Sequence, residues 1–168
     1  MSKKNGDKHI LSILVENQPG VLSRISGLFS GRGFNIESLC VAKTIDPEYS
    51  RITLVTRGDM AIVEQIKKQL NKLINVLKVT EFAGTDFVER VMVLIKVRTK
   101  SEQRAEILRL VEIFRARVVD AHPDVFTIEV TGDEGKIIAF IDLVKPMGIK
   151  EIVRTGAVAM AREKKEKK

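Results

Sequence analysis

Twice in 168 residues the apolar pattern changes period in the same order: strand, helix, strand, strand, helix, strand. In the first half, residues 9–15 alternate as a strand. Val21, Leu22, Ile25, Leu28 and Phe29 then fall on one helical stripe. Gly31 and Gly33 follow as a helix stop. Residues 34–42 and 51–57 read as two strands around a hairpin loop at Asp46-Pro47-Glu48. Asp59 is placed as the N-cap of a second helix carrying Ile62, Ile66, Leu70, Leu73 and Ile74, and residues 76–82 close as a strand. The second half repeats this order. Residues 89–97 form an apolar, centrally placed strand, and His122-Pro123-Asp124 joins two strands. A helix over 136–145 is stopped by Pro146 and Gly148, and residues 149–154 form a last strand.

This order predicts an α+β chain of two tandem ferredoxin-like βαββαβ domains. The expected division is a disordered leader at 1–8, a first domain at 9–83, a second at 84–158 and a basic tail at 159–168. Both helices of such a domain lie on one sheet face, so the other face needs a cover. Small domains with open strand edges favour association, and a homo-oligomer is expected.

The strand-to-helix junction Glu16-Asn17-Gln18-Pro19-Gly20-Val21-Leu22 is the candidate binding element. Pro19 is placed at the first helical position, and Gly20 leaves the backbone uncovered where unpaired helix-start amides point outward. Such a junction attracts a small carboxylate.

Other chemistry is sparse. The two histidines, His9 near the N-terminus and His122 in a turn, lack partners at metal-ligand spacing. Ser23 has no adjacent base, and Cys40 reads as a small buried side chain. The glycines around Gly27–Gly33 and Gly132–Gly135 match neither a dinucleotide fingerprint nor a P-loop. No carboxylate pair suggests acid–base work, so the chain does not read as an enzyme, and it is expected to hold no metal or cofactor. The net charge of +7 lies mostly in the Lys-rich ends, which argues against a nucleic-acid partner. No apolar run reaches the roughly 18 residues of a membrane helix, and the expected location is cytoplasmic.

Several stretches then carry a resemblance: Pro19-Gly20-Val21-Leu22-Ser23-Arg24, Gly27-Leu28-Phe29-Ser30, and Arg32-Gly33-Phe34-Asn35-Ile36-Glu37-Ser38-Leu39. Glu112-Ile113-Phe114-Arg115 and Arg154-Thr155-Gly156 extend it into the second half. The first half resembles an ACT domain. The whole chain, over roughly residues 9 to 162, resembles the regulatory (small) subunit family of acetolactate synthase. The resemblance implies a subunit that activates a catalytic partner and confers feedback inhibition, usually by valine. The partner would hold thiamine diphosphate, magnesium and FAD; this chain would hold none. The effector would sit between two ACT domains at Asn17, Gly20, Val21, Leu22, Asn35 and Ile36. Asn17 and Asn35 would hold the ends of the zwitterion. Val21, Leu22 and Ile36 would contact its side chain. A stand-alone ACT-type amino-acid sensor for another enzyme is the alternative, and leucine or isoleucine are alternative effectors.

Overall fold

A computed structural model describes residues 6–163; the expected leader at 1–5 and the end of the basic tail at 164–168 lie outside the described residues. The chain divides into two compact units, one running to Val88 and resuming at Gly156, the other spanning Glu89–Thr155.

The first unit contains β1 (Asp7–Glu16), α1 (Val21–Ser30), β2 (Ile36–Lys43), β3 (Tyr49–Gly58), α2 (Met60–Leu70) and β4 (Val76–Glu81). Its sheet has the order β2-β3-β1-β4 with antiparallel neighbours. Alternation along β1 sends Leu11, Ile13 and Val15 to the helix side, where Ile25, Phe29, Val63, Ile66 and Leu70 meet them. Asp59 caps α2 by accepting a hydrogen bond from the Ile62 amide at 2.9 Å. Replacing Asp59 with Ala is expected to cost about 1 kcal/mol, read as a shift of the urea midpoint at unchanged m-value.

The second unit contains most of β5 (Phe87–Arg98), then α3 (Arg104–Ile113), β6 (Arg117–His122), β7 (Val125–Gly132), α4 (Glu134–Gly148) and β8 (Ile149–Arg154). Its sheet order is β6-β7-β5-β8, so the apolar strand β5 is internal as predicted. Val93, Ile95, Ile107, Ile128, Ile137 and Phe140 form its buried centre.

Several details differ from the sequence reading. Helix α2 ends at Leu70, so Leu73 and Ile74 fall in the turn that follows it. Helix α4 does not stop at Pro146 but runs to Gly148. Ile137, Phe140, Val144 and Met147 form one buried stripe, and burying Met147 requires the helix to continue past the proline. Gly148, at φ 97°, then ends it. Pro19 is not the first helical residue; α1 starts at Val21 with Gly20 as its N-cap. His9 is not at a frayed end, because β1 starts two residues earlier and the His9 ring is buried. Finally, Val158–Ala161 forms a strand, β9, where a basic tail was expected. The residues after Thr155 return to the first unit, where the Ala157 amide donates to Ser38 Oγ at 3.0 Å.

Candidate functional site

The junction after β1 is a turn built on two residue types. Gly20 sits at φ 84°, ψ −10°, the third position of a type II turn, and Pro19 fits the second position because its ring presets φ. The Val21 amide reaches back to the Gln18 carbonyl at 3.4 Å, closing the turn. No side chain caps α1 and no acidic residue lies in its first turn. The amides of Leu22 and Ser23 have no acceptor within the helix, since none precedes them there. The junction therefore presents an uncapped positive helix end beside an exposed glycine.

Asn17 fixes this turn to the β2–β3 hairpin. Its backbone amide donates to the Glu48 carbonyl at 2.7 Å and its side-chain Nδ2 to the Pro47 carbonyl at 2.9 Å. Its Oδ1 accepts from the Ser50 hydroxyl at 3.1 Å. On the other side, Asn75 spans two charged groups. Arg24 donates to Asn75 Oδ1 at 2.6 Å, and Asn75 Nδ2 donates to Glu16 at 2.6 Å. The Glu16 amide also donates to the Asn75 carbonyl at 2.9 Å. Ser50 and Asn75 were not singled out in the sequence. Both act across 30 or more residues, and no local spacing marks them.

The remaining site residues divide by location. Val21 points into the core of its own unit, so toward a ligand it offers backbone rather than side chain. Leu22, 41% exposed, stands on the outer side of the same turn of helix. Asn35 is exposed and precedes β2, with its carbonyl accepting from Thr56 Oγ1 at 2.7 Å. Ile36 is half-buried.

The structure does not bring these two groups together within one chain. Ile36 pairs with Thr56, and Thr56 pairs with His9. The turn instead follows Glu16, which pairs with Tyr49 seven residues further along β1. At about 3.3 Å per residue the two groups are separated by about 23 Å along the sheet. Helix α1 links them, running from the turn back toward Asn35.

The described residues contain no group of three or more His, Cys, Asp and Glu able to hold a metal, and no helix long and apolar enough to cross a membrane. His9 Nδ1 lies 3.0 Å from Glu81, and Glu81 also meets Lys67 at 3.1 Å. Hydrogen bonds to Glu64 and to Glu81 hold the Lys67 ammonium above its usual range. This network joins β1, α2 and β4 and is structural. Cys40 is half-buried on β2, opposite Thr53.

Comparison with known proteins covers nearly the whole chain. Residues 11–78 match the family model for the AHAS small subunit-like ACT domain, and residues 90–163 match that for the small subunit of acetolactate synthase. A probable acetolactate synthase small subunit from Archaeoglobus fulgidus is 55% identical, covering 95% of this chain and 99% of the relative. The acetolactate synthase small subunit from Aquifex aeolicus is 53% identical, covering 93% of this chain and 82% of its own length. The crystal structure of the acetolactate synthase small subunit from Thermotoga maritima superposes with a TM-score of 0.87 at 44% identity, over 94% of this chain and 99% of that one. With two family models spanning both units and relatives of this identity, the chain belongs to the acetolactate synthase small-subunit family.

Proposed function

We propose that this chain is a cytoplasmic regulatory subunit that binds the acetolactate synthase catalytic subunit, raises its activity and confers feedback inhibition by valine. The separation of the turn from Asn35 is the observation that carries this reading. Each group is open in one chain, and they lie at opposite ends of α1. A second copy in antiparallel alignment would set its Asn35 and Ile36 against the first copy's Asn17–Leu22 turn. The uncapped amides of α1 would receive the valine carboxylate. Leu22 and Ile36 would contact the isopropyl group, and Asn35 would accept from the ammonium.

Regulation then follows from linkage. Valine binds best to the dimer arrangement that closes the pocket, so it shifts the population toward that arrangement. A coupling of about 1–3 kcal/mol corresponds to a 5- to 150-fold change in the affinity of one ligand when the other is bound. Thiamine diphosphate, magnesium and FAD belong to the partner, which carries the reaction.

Mixing the purified chain with an acetolactate synthase catalytic subunit tests this. The expected result is co-elution, a raised rate and loss of that gain on adding valine. A chain that binds valine yet neither co-elutes nor alters the rate would instead be a stand-alone sensor. Leucine and isoleucine titrated in parallel rank the effectors.

A further inference from the structure

The second unit repeats the tie that organises the valine turn, but with a different charge. In the first unit, Asn17 at the end of β1 bonds the Pro47 carbonyl by its side chain and the Glu48 carbonyl by its amide. In the second, Thr99 at the end of β5 occupies the same topological place. Its hydroxyl donates to the Pro123 carbonyl at 3.4 Å and its amide to the Asp124 carbonyl at 2.9 Å. Each unit thus pins a strand end to a Pro-acid hairpin just before a helical segment. Thr99 is 2% exposed, so this junction is as firmly built as the first.

The surroundings differ. A cavity of about 390 Å³ opens at the second junction, lined by Arg98, Thr99, Lys100, Asp124 and Lys150. Three cations face one acid there. Pairing of Val97 with Ile149 brings the end of β5 and the start of β8 together, which converges Arg98 and Lys150. Among the described residues none of these three cationic side chains has a hydrogen-bond or ion-pair partner. Lys96, on the neighbouring stretch of β5, is by contrast paired with Glu151 at 3.0 Å. At the edge of the same junction, Arg104 donates to the Pro123 carbonyl that Thr99 also contacts, while its buried Nε has no partner. Converging like charges are unfavourable unless something neutralises them.

We propose that the second unit carries a binding site for a small phosphate-bearing anion in this cavity. A monocarboxylate would leave half of the net positive charge uncompensated, whereas a phosphate dianion matches the excess of three cations over Asp124. Arg98 offers a planar fork for two phosphate oxygens, and Lys100 and Lys150 act as mobile point charges. The two junctions then divide ligands by charge. The uncharged first turn suits a zwitterion, and the basic second one suits a net anion. The site lies wholly within the second unit and stands whether or not valine is the effector of the first.

The full-length protein, isotopically labelled, titrated with inorganic phosphate at fixed ionic strength tests the assignment. Saturable shifts of the amide signals from Arg98 to Gln103, Asp124 and Lys150 are expected, with no such response to acetate at equal concentration. Lys100 and Lys150 are exposed, so the double variant Lys100→Glu/Lys150→Glu should fold normally. It leaves one cation against three acids, and phosphate affinity should fall at least tenfold. Valine-induced shifts at residues 20–23 should be unchanged in that variant, which separates this site from the effector turn. Phosphate shifts that scatter over the surface, or that persist unchanged in the double variant, would assign the anion to the Lys-rich ends and overturn the proposal.

Discussion

Gly20→Asp is expected to abolish the valine response while leaving the fold intact. A Cβ at Gly20 would meet nothing within 4 Å, so the protomer accommodates a side chain there without a clash. The backbone at φ 84° strains an ordinary residue by about 1–2 kcal/mol, and Asp tolerates this region better than most. What changes is the ligand's place. The new carboxylate would stand beside the uncapped amides of α1, the groups proposed to receive the valine carboxylate. Two carboxylates about 4 Å apart near a protein surface repel by about 4 kcal/mol before salt screening. Half of that weakens binding by about 30-fold. Calorimetry should show this loss while urea unfolding remains a single cooperative transition, its midpoint lowered by no more than that backbone strain. Unchanged valine affinity would place the effector elsewhere.

Gly156→Ala is expected to act in the opposite way, on stability rather than ligand affinity. A Cβ at Gly156 would come within 2.5 Å of the Leu39 carbonyl oxygen, 2.7 Å of the Leu39 carbonyl carbon and 3.0 Å of the Cys40 nitrogen. These are backbone atoms of a paired strand, so no rotamer change relieves the contact. The chain after Thr155 must therefore lift away or β2 must shift. Overpacking of this kind costs about 1–3 kcal/mol. Urea unfolding of the variant at fixed protein concentration should show that loss, and the Ala157–Ser38 hydrogen bond should become exchange-labile. A midpoint equal to that of the unaltered chain would mean that residues 156–161 do not rest on β2.

The parts of the molecule that could be read from its sequence are those set by local interactions. Period switching located the strands and helices because each buries one face, as Leu11, Ile13 and Val15 do. Asp59 was legible because an N-cap acts on residues two or three positions away. The glycine of the Pro-Gly turn was legible for the same local reason, though the helix start was misplaced by two residues. Pro146 misled because a local rule met a tertiary demand, the burial of Met147. His9, Asn75 and Gly156 were not legible at all. Their partners Glu81, Glu16 and Leu39 lie 59 or more residues away, and only the folded chain places them side by side. Val21 fell between these cases: its helical stripe marked it as apolar, but only the structure turns it into the core. The sequence could also not indicate that the turn and Asn35 stand at opposite ends of one sheet, because that follows from strand register.

The account rests most heavily on a pocket shared by two chains, and mixed dimers test it directly. Gly20→Asp and Asn35→Ala each damage one half of the pocket, so neither homodimer should bind valine well. In a mixed dimer one pocket combines both altered halves, while the other combines an unaltered turn with an unaltered Asn35. Valine binding measured on the purified mixed dimer should therefore recover to one site per dimer with the affinity of the unaltered protein. Failure of the mixed dimer to bind valine would contradict a pocket built from two copies.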